Sequence, residues 1–141
     1  MSIQAVLLPV FVEVGLTFFL LFWMAKLRVS AIRRGEVKMR DIALGQPAWP
    51  EGATKIANAY HNQLQLPLLL YVLVGLALAT HKADLLFVVM SWIFVALRIV
   101  HAVIHTGAND VRQRFYVFAA GATVLLAMWV IFAVRILLGL G

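Results

Sequence analysis

The residues best suited to chemistry lie between Trp92 and Phe118, where Arg98, His101 and His105 interrupt an otherwise apolar stretch. In an α-helix with about 3.6 residues per turn, positions 98, 101 and 105 lie on one face. That face would bring a permanent cation together with two imidazoles, which titrate near neutral pH. Such a face could bind an anionic ligand and assist a proton transfer, although polar contacts between helices would use the same residue types.

A break follows this face at residues 106–110, because Thr-Gly-Ala-Asn-Asp is a sequence typical of a turn. Arg112 and Arg114 then open the next apolar stretch. The segment therefore predicts two helices joined by a short turn, with two further guanidinium groups close to the first cluster.

The composition places the chain among membrane proteins. Of its 141 residues, 64% are hydrophobic, whereas a soluble domain is about half apolar. The chain has no cysteine, so disulfides, thiolate nucleophiles and cysteine-based metal sites are excluded, and we predict no metal site.

Four apolar stretches predict one all-α domain over residues 1–141, an integral membrane bundle of four helices. Gly121, among small residues of the last stretch, suits close packing of two helices. The turn signals between the first two stretches include Gly45-Gln46-Pro47. The elements that must position the candidate residues are a loop at residues 28–52 and spans at about residues 3–25, 54–80, 85–104 and 111–138.

The basic residues predict the orientation in the membrane. Seven of the twelve lysines and arginines lie between Lys26 and Lys55, and such loops stay in the cytoplasm. We therefore expect both termini outside, the 28–52 loop inside, and anionic lipids in contact with this loop. The basic run lacks a motif that reads a nucleic-acid groove, so we expect no nucleic-acid partner.

The first half of the second span is unusually polar. Asn58, Asn62 and Gln65 follow one another at helical spacing, which predicts a single stripe on one face. Amides are costly in lipid, so the stripe should face protein or a wet pocket, and helix–helix contacts would satisfy it as well. Pro67 lacks a backbone N–H and predicts a kink. In the expected orientation, this stripe and the Arg98 face meet at the cytoplasmic side.

The first span contains one charged residue, Glu13. Carboxylates inside a membrane are costly and are functional candidates by default, although Glu13 could also simply hydrogen-bond a neighbouring helix. A small proton-coupled transporter would use Glu13, but the basic loop and both polar stripes would then have no role. A haem protein would need axial histidines on facing helices, for which His61 could pair with His101 or His105.

These residues resemble the MAPEG family, the membrane-associated proteins in eicosanoid and glutathione metabolism. The segment NAYHNQLQLP, from Asn58 to Pro67, is similar to the second-helix motif R-A-x-x-N-x-x-E, which a proline follows. Residues 98–112 are similar to the third-helix spacing R-x-x-H-x-x-x-H-x-x-x-x-x-x-R. Residues 105–118 resemble the pattern HxxxNxVxxRFxxF of the bacterial branch. The resemblance covers most of the chain and implies a bacterial inner-membrane protein.

The resemblance implies a homotrimer of four-helix bundles that binds glutathione, as a co-substrate, between adjacent subunits near the cytoplasmic face. By position, Arg112 takes the place of the arginine that stabilises the glutathione thiolate, so it is the candidate catalytic residue. Arg98 would clamp a glutathione carboxylate, and Asn62 and Gln65 would hold the peptide backbone. The other candidate glutathione-binding residues are Asn58, His101, His105, Arg114 and Arg28.

The sequence departs from the family motif at two positions. Asn58 stands where the motif has arginine, and Gln65 stands where it has glutamate. An amide cannot replace a bidentate guanidinium that holds a carboxylate, nor a carboxylate that holds an ammonium group. The resemblance therefore implies a glutathione-dependent transferase or peroxidase that acts on lipophilic electrophiles or lipid hydroperoxides. The alternative is a non-catalytic protein of the same fold that binds lipid or another anionic ligand.

Overall fold

The computed structural model of this protein describes residues 1–43 and 48–140. The turn predicted at Gly45-Gln46-Pro47 and the last residue, Gly141, lie outside the described residues. Within the described ranges the chain forms helices and no strand. In chain order the helices are α1 (Ile3–Arg33), α2 (Met39–Ile42), α3 (Glu51–Asn62), α4 (Leu66–Ala79), α5 (Leu85–Thr106) and α6 (Val111–Leu137).

Four stretches of the described chain are long and apolar enough to cross a membrane. They are α1, the pair α3 and α4 taken together, α5, and α6. The predicted fold class, an all-α integral membrane protein with four spans, is confirmed. Residues 81–84 and 107–110 form the short turns that the sequence predicts, because Asp84 and Asp110 cap the helices that follow them.

The first helix is longer than the predicted span. Residues 26–33 contain neither glycine nor proline, so α1 continues through the first part of the predicted 28–52 loop. The helix ends where Gly35 adopts a φ of +73°, a conformation that glycine allows without strain. The backbone N–H groups of Gly35 and Glu36 then donate to the carbonyls of Ile32 and Ala31, at 3.1 and 3.0 Å.

The second span is divided into two helices, whereas the sequence predicts one kinked helix. Pro67 has no N–H to donate to the Gln63 carbonyl, and its ring would collide with that carbonyl in a regular helix. The chain therefore tightens after α3, where the N–H groups of Gln63 and Leu64 donate to carbonyls three residues back, at 3.0 Å each. Helix α4 begins again at Leu66, with Pro67 in its first turn.

Helix α5 lies at the centre of the bundle and packs against α1, α3 and α6. Phe94 and Val95 are fully buried in its apolar half, together with Leu73 of α4 and Leu125 of α6. Gly121 is buried against α5, but a Cβ added there would meet the Phe94 ring at 3.9 Å, an ordinary contact distance, so this packing does not require glycine.

Long side chains connect the turns at each end of the bundle. At one end, Lys55 Nζ at the start of α3 donates to the Gly107 carbonyl, at 2.7 Å. At the other end, Lys82 Nζ donates to the Leu140 carbonyl at 2.6 Å, and Arg135 pairs with Asp84 at 2.9 Å. The 107–110 turn thus lies beside the start of α3, and the carboxyl end of the chain lies beside the α4–α5 turn.

Asp84 should stabilise the fold in a pH-dependent way. Partial burial would raise the pKa of its carboxyl group, but hydrogen bonds from Arg135 and from the Phe87 N–H outweigh burial and lower it below the usual 3.8. The carboxylate therefore stabilises the protein above pH 3.8, and this contribution disappears as the pH falls through the lowered pKa. We expect Asp84→Asn, which keeps a helix cap but loses the ion pair, to lower the melting temperature at neutral pH but not in acid.

Asp84→Ala serves as the comparison, because it removes both the cap and the ion pair. It should cost about 1 kcal/mol more than Asp84→Asn at neutral pH. Thermal unfolding in detergent at several pH values measures both effects. A deficit of Asp84→Asn that stays constant well below pH 3.8 would contradict this assignment.

Candidate functional site

Helix α5 presents its polar residues on one buried face, as the sequence predicts. Arg98, His101 and His105 are 1%, 2% and 6% exposed. The two imidazole rings lie nearly perpendicular to each other, with their centroids 5.5 Å apart. Because this face packs against α1 and α3, the cation and both imidazoles lie inside the bundle and not towards lipid.

Arg98 is hydrogen-bonded to the residue that ends α3. Its Nη2 atom donates to the Asn62 carbonyl at 3.2 Å and to the Asn62 side-chain oxygen at 2.5 Å. Asn62 is half-buried, so one side of its amide faces Arg98 while the rest reaches the surface. The structure thereby brings together two residues that the sequence assigns to the same site.

Gln63 and Glu13 extend this contact into the interior. The orientation of the Gln63 amide is assigned from its two neighbours, so that its nitrogen donates to Glu13 Oε1 at 2.6 Å and its oxygen accepts from Arg98 Nη2 at 3.2 Å. Gln63 and Glu13 are each 0% exposed. Glu13, Gln63, Arg98 and Asn62 therefore form one chain of hydrogen bonds, which we call the polar network, and it joins α1, the α3–α4 break and α5.

The polar network pairs two opposite charges, those of Arg98 and Glu13, in the buried interior of the bundle. Burying an isolated guanidinium is very costly, and an opposite charge with additional hydrogen bonds is what makes it tolerable. Glu13 supplies the carboxylate, and the neutral amide of Gln63 bridges the two charged groups. The single charged residue that the sequence shows in the first span thus faces the cation of the third.

Sequence reasoning missed Gln63. The amide spacing points to Asn58, Asn62 and Gln65, but α3 ends at Asn62, so Gln65 falls in the break and not on the same helical face. Asn58 and Gln65 are exposed, whereas Gln63 is fully buried. The available signal was helical spacing, because Gln63 follows the apolar residues Ile56 and Ala59 at i+7 and i+4, and both of these are buried.

Of the two arginines after the turn, Arg112 is exposed and Arg114 is half-buried. Asp110 caps α6 by accepting from the Arg112 and Gln113 N–H groups at 3.0 and 3.2 Å. The Arg112 side chain is exposed and stays near the Tyr116 ring, 6.0 Å from its centre. Arg114 Nη1 donates to the Asn109 side chain at 2.6 Å.

Arg28 lies apart from these residues, at the basic end of α1. Its guanidinium carbon is 4.8 Å from the centre of the Trp49 ring, a cation–π contact that ties α1 to the chain just before α3. Within a single chain the candidate residues therefore divide into two groups. A buried group comprises Arg98, His101, His105 and the half-buried Asn62, and a surface group comprises the exposed Asn58, Gln65 and Arg112 with the half-buried Arg114 and Arg28.

Comparison with known families gives one match. A family model described as the MAPEG family matches residues 6–134, which is most of the chain. The chain belongs to the MAPEG family. No curated protein and no solved structure matches it.

MAPEG membership agrees with the helical membrane architecture described above. The family is one of helical membrane proteins associated with glutathione-related transferase and peroxidase activity. The match includes every candidate residue of this chain, from Arg28 to Arg114. It also includes Glu13 and Gln63, the two members of the polar network to which the sequence assigned no role.

The polar network makes a direct prediction about stability. Arg98→Leu leaves Glu13 buried without an opposite charge and should lower the free energy of unfolding by about 3–5 kcal/mol. The double variant Glu13→Gln/Arg98→Leu removes both charges and should recover much of this loss. Arg112→Leu is a matched control, because the same substitution at an exposed arginine should change stability by less than about 1 kcal/mol. Unfolding in mixed detergent micelles measures all three variants, and equal losses at residues 98 and 112 would refute the role of the network.

Proposed function

We propose that this protein is a membrane glutathione-dependent transferase or peroxidase that acts on lipophilic electrophiles or lipid hydroperoxides. The observation that carries the proposal is the MAPEG match over residues 6–134. It is supported by the concentration of guanidinium, imidazole and amide groups where α3 lies beside the last turns of α5 and the start of α6. Such groups suit a small peptide with two carboxylates.

In this proposal, glutathione binds between subunits of a homotrimer. The surface group of candidate residues is open in the single chain, so a neighbouring subunit can complete a pocket with it. Asn58, Gln65 and Arg112 contact the ligand from the surface, and Arg114 and Arg28 add positive charge around it. Asn62, backed by Arg98 and the two histidines, forms the inner wall of the pocket.

Arg112 is the proposed catalytic residue. A thiol with a pKa near 8.5 is mostly protonated at neutral pH, and only its thiolate is a strong nucleophile. A guanidinium beside the sulfur favours the anion, and lowering the thiol pKa by one unit corresponds to about 1.4 kcal/mol. With an electrophile, the thiolate forms a carbon–sulfur bond while the leaving group departs with the bonding electrons. With a hydroperoxide, it attacks the terminal oxygen, the O–O bond breaks, and the alkoxide takes up a proton and leaves as the alcohol. The glutathione sulfenic acid that remains reacts with a second glutathione to give the disulfide and water.

The second substrate would enter from the bilayer. An apolar groove of about 440 Å³ runs between α4 and α6, with Leu66 and Leu69 on one wall and Leu125, Leu126 and Trp129 among its other lining residues. This volume lies within the usual range for a small-molecule site of about 300–1,000 Å³. The groove begins at Leu66, next to Gln65, so a lipophilic chain in it would reach the proposed glutathione pocket.

The proposed location is the bacterial inner membrane, with the site on the cytoplasmic side and both termini outside. The contact of Lys55 with the Gly107 carbonyl brings the basic first loop and the 107–110 turn to one end of the bundle. That end also holds Arg112 and Arg114. By the tendency of basic loops to remain inside, this end faces the cytoplasm and its glutathione.

A non-catalytic MAPEG protein that binds lipid or another anionic ligand is the second candidate. Asn58 and Gln65 favour it, because both amides are exposed at positions where the family motif has charged residues. Without the motif carboxylate, the ammonium group of glutathione lacks its partner. In this candidate function the same pocket binds lipid or another anionic ligand in place of glutathione, and no reaction follows.

Two measurements test the proposal: calorimetry of glutathione binding by the protein purified in detergent in its native oligomeric state, and a transferase assay on the same sample. We expect glutathione to bind, and we expect Arg112→Ala to reduce the rate of thiol transfer to 1-chloro-2,4-dinitrobenzene by about tenfold, as loss of one unit of thiol pKa shift would. The ultraviolet absorbance of the bound thiolate should fall in parallel. Gln113→Ala, at the exposed neighbour of Arg112, is the matched control and should behave like the wild type.

Two results would count against the transferase. Full thiol-transfer activity in Arg112→Ala would show that this arginine does not stabilise the thiolate. No binding of glutathione by the wild type at millimolar concentration would favour the second candidate. Mass spectrometry of lipid that copurifies with the protein would then identify the ligand.

A further inference from the structure

The polar network has a direction, because one of its members can only donate hydrogen bonds. A guanidinium carries N–H donors and no acceptor. Arg98 Nη2 therefore faces the oxygen of the Gln63 amide at 3.2 Å and the oxygen of the Asn62 amide at 2.5 Å. Each amide must direct its NH2 group away from Arg98.

The two amides find different surroundings for those NH2 groups. Gln63 is fully buried and donates to the carboxylate of Glu13 at 2.6 Å. Asn62 is half-buried, and among the described residues no group accepts a hydrogen bond from its side-chain nitrogen. The Asn62 NH2 group thus points away from the interior, at the end of α3, where the proposed glutathione pocket lies.

Glu13 explains why Arg98 stays inside. An arginine side chain is long enough to reach outward from a helix, and a buried guanidinium without a counter-charge would tend to do so. The Glu13 carboxylate and the Gln63 bridge hold it in place at 1% exposure. Only Nη2 of Arg98 has hydrogen-bond partners among the described residues, and at 1% exposure the guanidinium does not reach the surface to clamp a ligand carboxylate.

We propose that Glu13 and Arg98 are positioning residues that fix the Asn62 amide with its N–H groups towards the pocket. Asn62 then selects a ligand atom that accepts a hydrogen bond, such as a peptide carbonyl or carboxylate oxygen. This inference rests on the proposed function for the identity of the ligand, but the orientation of Asn62 can be measured without it. In this inference Arg98 acts on glutathione only through Asn62, whereas the family resemblance implies that Arg98 contacts a glutathione carboxylate directly.

The test uses the small number of asparagines. The chain has three, Asn58, Asn62 and Asn109, so protein labelled with ¹⁵N-asparagine gives three side-chain amide signals. Asn62→Asp, which keeps an acceptor for Arg98 and removes the donors, assigns the Asn62 signal. We expect Glu13→Gln to shift this signal by more than its linewidth and to leave the Asn58 signal in place. Gly15→Ala is the matched control on α1, because its side chain would meet nothing within 4 Å.

A second variant keeps the proposal testable if Glu13→Gln, which leaves Arg98 without an opposite charge, fails to fold. Glu13→Gln/Arg98→Gln leaves no charge in the interior, so it should fold, and it should also shift the Asn62 signal because the guanidinium is gone. Glutathione added to the wild type should move the Asn62 signal, and Glu13→Gln should weaken its binding about tenfold, the effect of losing one hydrogen bond to a charged ligand.

Each result decides the proposal. A shifted Asn62 signal together with weaker glutathione binding supports it. An unshifted Asn62 signal in the folded double variant overturns it, and so does a shifted signal with unchanged affinity. If the wild type binds no glutathione but Glu13→Gln still shifts the Asn62 signal, the proposed function fails while the positioning of Asn62 by Glu13 and Arg98 stands.

Discussion

A guanidinium buried inside an apolar bundle is the constraint on which the rest of this structure depends. Arg98 is 1% exposed in the central helix α5, in a span where lipid offers no hydrogen bonds. Its charge can remain there only because Glu13 reaches it from α1 through Gln63, and because Asn62 accepts from it at the end of α3. One electrostatic requirement therefore fixes how three of the four spans face one another.

The break in the second span lies just beyond the residue that meets this requirement. Gln63 still has helical backbone angles, φ −70° and ψ −12°, and it lies one helical turn after buried Ala59 on the same face of α3. Pro67 prevents the helix from continuing, and the tightened turn leaves Gln65 at the surface. The second span thus directs one amide to the buried charges and leaves another next to the groove that begins at Leu66.

The site divides into a buried interior and a more exposed surface. The interior group, around Arg98, is held by Glu13, Gln63 and Asn62, while Nε and Nη1 of Arg98 have no hydrogen-bond partner among the described residues. The surface group, around Arg112, faces outward, where a second subunit, a ligand or lipid headgroups can meet it. MAPEG membership gives this arrangement a chemical context in glutathione-related reactions, and the exposed amides at positions 58 and 65 are where this chain differs from the family motif.

The sequence by itself determined the membrane class, the four spans, the turn at residues 106–110 and the common face of Arg98, His101 and His105. Apolar length and helical spacing are local properties, so they can be read along one segment at a time. The length of α1 was underestimated because helix propensity, and not hydropathy, decides where a helix ends beyond the apolar stretch. Glu13 was recognised as unusual, but its partner could not be named.

Only the tertiary structure decided that Glu13, Gln63, Arg98 and Asn62 meet. These residues come from segments far apart in the chain, and their contact depends on the rotation of each helix about its own axis. That rotation is set by packing against all neighbouring helices at once, so no periodicity within a single span can reveal it. The same reason explains why Gln63 was passed over in favour of Gln65, since the choice between them depends on which face of α3 packs against α1 and α5.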